Sequence, residues 1–414
     1  MNSAVMFTTG AVDSAYMTRL AGFSALDSYL GLNPLPVLYI ETDADPGALA
    51  RRFETLRYPG ASLADAALDS GSEDQKTIYF RCVEKNAPSR MGGFYQDWTG
   101  GRFHDPQGLY PLLRALKVME RNPQGGAQKE AQGEGPILPE DLFRRLFMQR
   151  PTGGPADKTD FWEHAFSMAL FFARYCRAVS DNGILWEQRI TALMKEASAF
   201  LESLPPSPPP LAETQRILLN ALLLSSQSGL GFSFLKLSGL LEKLWPELAG
   251  LERAGHSKEY HPEGNAWEHT LETFRYRKTE DLILSLGLLL HDSGKPLSAS
   301  SGSRRFDGHA ELGALLSAKF LSRLDYDSRT IDSVFFLVKN HMLPAALPRL
   351  PLSRTREILE SPLFPVLMEL YRCDESSSFK GLDGYYKSSA AYQAYLRNRR
   401  NPYRSADGKK IGRP

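Results

Sequence analysis

LILSLGLLLHDSGKP, residues 282–296, is the stretch on which the fold of this chain turns. Leu282 to Leu290 is apolar nearly all round, so a helix formed there has no face to offer water and must lie at the centre of a helical bundle. The run then meets His291-Asp292, with Gly294 and Pro296 as stop signals. A histidine and a carboxylate carried into a core at the end of such a helix are costly to bury alone, and a cation is their natural partner.

Outward from this helix, Asn265 to about Ser376 reads as five helical segments separated by polar or Pro/Gly turns. Asn265 can cap the first, whose Trp267, Leu271 and Phe274 share one face. The third is expected after Asp307, the fourth over about 328–340, and the fifth over about 361–374 behind a Pro-rich loop. Five of the eight histidines lie between 261 and 341, and His269, His291, His309 and His341 fall at or near helix ends. Asp292 adds one carboxylate and Asp374, closing the last helix, another. A single histidine on an apolar helix is ordinarily a satisfied core residue. Four on separate helices are what a metal site in a bundle core requires. Imidazole and carboxylate donors without thiolate suit a hexacoordinate Mn, Fe, Ni or Mg ion better than a tetrahedral structural zinc.

The N-terminal third has a different texture. Residues 34–45 and 77–82 are β-branched and aromatic runs with a helical stretch near 46–57 between them, which predicts a small α/β head. Residues 92–108 read as a hairpin turning at Thr99-Gly100-Gly101. Residues 122–139 are rich in Gly, Gln, Pro and Glu, a linker composition. Helical patterns follow at 160–178, 186–203 and 212–249, interrupted by the extended spacer LPPSPPP at 204–210. The aromatic group Phe161, Trp162, Phe166, Phe171 and Phe172 reads as core; His104, His164 and His256 have no evident partners. The expected fold class is mostly α: a small α/β head (1–121), a linker (122–139), a helical neck (140–250), an all-α metal-binding domain (251–380) and a basic tail (381–414).

With 49 Lys and Arg against 48 Asp and Glu, the net charge of +1 excludes a uniformly basic nucleic-acid binder. The balance is uneven, since residues 397–414 carry +6 and the rest of the chain −5. Tyr392, Tyr395 and Tyr403 in and before that tail would suit an RNA backbone, though its plainest reading is a solvated end. Cys82, Cys176 and Cys373 are scattered with no CxxC pair, which argues against a disulfide framework. The nine-residue apolar run is far short of the ~20 residues of a membrane span, and the first residues lack the pattern of a leader. The expectation is a cytoplasmic protein with no membrane partner.

HPEGNAWEHT (261–270), LLLHDSGKP (288–296), FDGHAELGA (306–314) and VKNHM (338–342) together resemble the HD phosphohydrolase domain, in the version attached to bacterial CCA-adding tRNA nucleotidyltransferases and poly(A) polymerases. The resemblance implies that His269, His291, Asp292 and Asp374 ligate a divalent ion, with His309 and His341 added where two ions are bound. It implies hydrolysis of a phosphoester, the ions lowering the pKa of water and offsetting phosphoryl charge. Asp292 and Lys295 would be the catalytic pair, Lys295 reaching a substrate phosphate as a point charge. The plain alternative for Lys295 is a lysine offsetting a helix dipole.

The resemblance continues upstream. QRILLNALLLSSQSGLGFSFLKLSGLLEKLWPEL (215–248) resembles the helical body of those enzymes. IETDADP (40–46) and TGGRFHDPQGL (99–109) resemble parts of their head. GFSALD (22–27) stands where the family has a Gly-Gly-x-Val-Arg-Asp phosphate loop, with Phe23 for a glycine and Leu26 for the arginine. Val37-Leu38-Tyr39 stands where it has the magnesium-binding Asp-x-Asp. HAFSMALF (164–171) stands where it has an arginine-rich helix. Valine and tyrosine cannot hold magnesium for two-metal transfer, and Asp43 and Asp45 are the nearest carboxylates left. The expected function is metal-dependent hydrolysis of a nucleotide or RNA phosphoester, with an inactive nucleotidyltransferase-like head. The alternatives are a tRNA nucleotidyltransferase or poly(A) polymerase acting in tRNA 3′ processing, and a non-catalytic RNA-binding relic.

Overall fold

The computed structural model describes residues 16–59, 64–69, 77–85, 87, 89, 93–98, 101–121, 139–148, 161–176, 183–254, 264–299, 308–378, 381–401 and 403–410. The chain divides into two compact units, Met1–Ser225 with Ser233–Ser238, and Ser226–Phe232 with Gly239–Pro414.

The first unit opens with a six-stranded sheet built from β1 (Thr18–Ala21), β2 (Val37–Thr42), β3 (Ala66–Asp69), β4 (Thr77–Cys82), β5 (Tyr95–Asp97) and β6 (Phe103–His104), in the order β3-β4-β2-β1-β5-β6. Among the described strands, β2 and β4 alone pair in parallel, Val37 opposite Thr77 and Thr42 opposite Cys82. Because side chains alternate across a strand, Leu38, Ile40, Ile78 and Phe80 share one core cluster, while Val37, Tyr79 and the packed Tyr39 fall into another. Helix α1 (Gly22–Leu30) follows β1 directly through Gly22 at φ 57. Helix α2 (Pro46–Arg52) starts on Asp45, whose carboxylate accepts from Ala48 N, and ends where Phe53 turns extended. The helix expected over 46–57 is therefore shorter, and β1 and β3 were not anticipated at all. Thr99 and Gly100 of the expected turn, and the expected linker apart from Pro139, lie outside the described residues.

Among its described residues this unit also holds α3 (Tyr110–Arg121), α4 (Glu140–Phe147), α5 (Phe161–Tyr175), α6 (Gly183–Glu202) and α7 (Ala212–Leu223). Trp162, Phe166, Phe171 and Phe172 are buried, and Phe143 lies 5.2 Å from both Phe171 and Phe172. His104 has a partner after all, stacked on Tyr95 at 4.6 Å, and His164 lies tilted against Phe200. His256 is outside the described residues.

After α8 (Ser228–Leu237), the second unit is helical: α9 (Leu240–Leu244), α10 (Pro246–Ala249), α11 (Ala266–Thr273), α12 (Leu282–Leu290), α13 (Lys295–Ala299), α14 (His309–Arg323), α15 (Ser328–Asn340), α16 (Leu343–Ala346), α17 (Leu352–Glu360), α18 (Phe364–Ser376) and α19 (Asp383–Arg400). The fold class is thus the expected one, a small α/β head and a helical body. Helix α12 is central, with every residue from Leu284 to Leu290 buried. A side chain at Gly287 would meet Leu337 of α15 and Leu370 of α18 at 3.0 Å each. Asn265, Asp281 and Asp327 cap α11, α12 and α15 through their side chains.

Arg397, Arg399, Arg400, Arg404, Lys409 and Lys410 of the basic end are exposed, as the solvated reading has it, but the first three are carried on a helix. Residues 383–400 form α19, held by Ser388 Oγ donating to Pro344 O and by buried Tyr395 donating to Glu360. Arg397, Arg399 and Arg400 lie in its last turn, where cations favour the helix dipole. No helix among the described residues is long and apolar enough to cross a membrane.

Candidate metal centre

The apolar helix α12 delivers His291 at its C-cap and Asp292 one residue later. His341 holds the equivalent C-cap of α15, His309 opens α14, His269 lies within α11, and Asp374 lies in the last turn of α18. The structure brings all six together as two adjoining groups: His269, His291 and Asp374, and Asp292, His309 and His341, with the donor atoms of each group within 4.8 Å of one another. The rings of His291 and His341 are 5.5 Å apart, so the groups touch. All but Asp374 are buried.

Local structure fixes the imidazoles. His291 Nδ1 lies 2.8 Å from Leu288 O and His341 Nδ1 2.7 Å from Val338 O, both carbonyls three residues back at a helix end. A carbonyl accepts only, so each Nδ1 carries the proton and each Nε2 presents a lone pair. His269 is set by Ser377: the serine donates to Asp374 O at 2.7 Å and so accepts from His269 Nδ1 at 3.3 Å.

The lone pairs then converge. His269 Nε2 is 2.9 Å from Asp374 Oδ1, and His309 Nε2 is 3.1 Å from His341 Nε2. His291 Nε2 has no hydrogen-bond partner although fully buried, and lies 3.4 Å from Asp292 Oδ2 and 3.9 Å from Asp374 Oδ1. A divalent ion placed among these atoms would satisfy all of them. Donor atoms about 3 Å apart are also the spacing of neighbouring ligands that each lie about 2.1 Å from one ion. The residues present therefore fit a divalent ion.

Burial alone would raise the Asp292 carboxyl, but its neighbours His291 and Lys295 outweigh it and hold it well below the usual carboxylate range. For Asp374, burial is likewise outweighed by the neighbouring His269 and His291, which hold its carboxyl below the usual range. Burial, with His291 beside it, lowers His341 to about 4, leaving it neutral and able to ligate at neutral pH.

Lys295 is read in the sequence as lying at a helix stop, either to reach a substrate phosphate or to offset a helix dipole. It begins α13 instead, and its Nζ lies 2.5 Å from Asp292 Oδ2. Sequence reasoning missed Ser377, and it read Gly294 only as a helix stop. A Cβ at Gly294 would lie 2.0 Å from His309 O, so this glycine lets α14 approach close enough to deliver His309. The three-residue offset from each histidine back to Leu288 and Val338 was the available signal.

The head has no comparable cluster among its described residues. Val37 and Leu38 are buried, Tyr39 stands edge-on to Tyr79, and Phe23 stacks on Tyr175. Asp43 accepts from Met17 N and Asp45 is engaged as the cap of α2. A cavity of about 70 Å³ lined by Phe23, Tyr39, Glu41, Tyr79, Arg81 and Glu163 is what that region offers, room for a few waters.

An A-adding tRNA nucleotidyltransferase from Deinococcus radiodurans is 36% identical to this chain over 217 residues, 50% of the chain and 48% of that protein. A CC-adding tRNA nucleotidyltransferase from Thermus thermophilus is 30% identical over 331 residues, 78% of the chain and 67% of that protein. The chain belongs to the tRNA nucleotidyltransferase family. It is also 31% identical over 112 residues to a multifunctional CCA protein from Shewanella denitrificans, 27% of each. No family model matches it. A solved tRNA-processing enzyme covers 96% of the chain and 91% of its own at a TM-score of 0.38 and 14% identity, too low to bear on the fold. The family match spans about half the first relative's length and two thirds of the second's. Of the functions the sequence raises, these relatives favour tRNA nucleotidyl transfer over metal-dependent hydrolysis.

Proposed function

We propose that this chain acts on tRNA 3′ ends, as the names of its family relatives suggest, and that the chemistry its own residues support is phosphoester hydrolysis at the centre in the second unit. The observation that carries this reading is the fully buried, unpartnered Nε2 of His291 aimed between two carboxylates. A divalent cation held by His269, His291, Asp292, His309, His341 and Asp374 would supply Lewis acidity and positive charge to a phosphoryl group. Leu288 O, Val338 O and Ser377 Oγ hold the imidazoles in the ligating tautomer, and the low acidity range of Asp292 and Asp374 keeps both carboxylates ionised. The test is metal analysis of the purified chain with turnover of 2′,3′-cyclic phosphates and nucleotides under added Mn or Ni. His291→Ala should abolish turnover; full hydrolysis by that variant would sink the reading.

A second reading is nucleotide addition itself, which the relatives favour. It would have to run without carboxylates at Val37 and Tyr39. Its test is incorporation of CMP and AMP onto a tRNA lacking its CCA end. Incorporation that survives His291→Ala would establish it, and none would remove it.

A further inference from the structure

The two ligand groups differ in charge. In the first, Asp374 faces His269 and His291 and no cationic lysine or arginine among the described residues. In the second, the sole carboxylate is Asp292, and Lys295 already sits on its Oδ2, the two side chains 12% and 2% exposed. Its other oxygen, Oδ1, is the one turned toward His309 Nε2, at 3.7 Å. With the imidazoles neutral, two carboxylates and one ammonium leave a single net negative charge. One dication turns that into a single positive charge; a second would leave three, in a site where charge is poorly screened. A phosphate dianion would bring the sum back to one.

Resting on the reading above, we infer that Lys295 sets the order in which this centre loads: one divalent ion is held tightly by His269, His291 and Asp374, and the second group fills only together with a phosphate-bearing ligand. Lys295 acts as a positioning residue here. It offsets Asp292 while the second group is empty, and it is three residues from that carboxylate on a short helix, close enough to turn to an incoming phosphate. The substrate class this favours is a terminal phosphate, whose two charges balance the second ion better than the single charge of a diester.

The test is calorimetric titration of Mn2+ into the metal-free full chain, with and without inorganic phosphate. Wild type should bind one ion tightly and a second at least about ten-fold more weakly, with phosphate closing that gap by reciprocal coupling. Lys295→Met should bring the two affinities within about three-fold without phosphate, and Lys295→Arg should restore the wild-type gap. An unchanged gap in Lys295→Met, two equal sites in wild type, or a second site indifferent to phosphate would each overturn the inference. If Lys295→Met does not fold, Asp374→Asn and His309→Ala decide: the tight site should vanish in the first and survive in the second, and the reverse overturns it. A wild-type chain that binds no Mn2+ at all defeats the proposed function instead.

Discussion

Asp27 in the head and Asp374 in the helical unit are both carboxylates set against nitrogen groups, yet their surroundings differ in kind. Asp27 is held by Arg174 at 2.9 Å and by the Tyr175 hydroxyl at 2.7 Å, a permanent cation and a donor. Arg19 and Glu41 repeat the pattern at 2.7 Å, also buried. Asp374 meets imidazoles whose protons are committed elsewhere. The head has closed its buried charges on one another, as a scaffold does; the helical unit has left Asp374 facing imidazoles with no lysine or arginine beside it among the described residues. The contrast separates groups that hold a fold from groups that hold a ligand.

The largest break in this comparison should come from Arg174→Met. Removing one partner of a buried pair leaves Asp27 uncompensated, at about 3–5 kcal/mol. Urea denaturation should show that loss, while the protein that remains folded binds Mn2+ as before. A variant of unaltered stability would mean that the head does not depend on its internal pairs.

Two glycines sharpen the contrast next. At Gly294 a methyl group would run into the backbone of His309 and Gly313, so Gly294→Ala should cost about 1–3 kcal/mol and weaken Mn2+ binding at least ten-fold by displacing His309. At Gly31, the C-cap of α1, a methyl meets nothing within 4 Å and the strain is only that of φ +75. Gly31→Ala should cost about 1 kcal/mol and leave Mn2+ binding untouched. Equal loss of metal affinity in both would show that the centre answers to global stability and not to the approach of α14.

Much of this was readable from the chain. An all-apolar helix has one physical solution, burial, so Leu282–Leu290 announced the centre of the bundle and the histidines at helix ends announced where donors would gather. Strands β1 and β3 were not readable because four residues carry too little pattern; they exist by pairing with β2, β4 and β5. Helix α19 was hidden because its basic end dominates the composition, whereas its seat depends on Pro344 and Glu360, residues that only the fold brings to it. The partner of Lys295 was hidden for the opposite reason. Asp292 lies three residues away in sequence, but a turn and not a continuing helix sets their contact.

Ser377→Ala should have a smaller and more local effect. It removes the acceptor that fixes the His269 tautomer, and supporting contacts of this kind are worth about 10–100-fold in metal affinity. Ser377→Thr keeps the hydroxyl and should recover most of it, with thermal stability almost level across the three proteins. Were Ser377→Thr as weak as alanine, packing and not the hydrogen bond would be the cause.

The finest comparison uses one interaction placed in both regions. Asp45 caps α2 of the head and Asn265 caps α11, each side chain accepting from the backbone N–H three residues on. Replacing either with alanine removes one cap, at about 1 kcal/mol, so denaturation midpoints should fall by similar amounts. Only Asn265 lies on the helix that carries His269, whose own N–H bonds to Asn265 O at 3.1 Å. Fraying there moves a donor, and Asn265→Ala should lose metal affinity where Asp45→Ala does not. If both variants lose stability and neither loses Mn2+, His269 is held by Ser377 and Asp374 from its far side, and the first turn of α11 serves the fold alone.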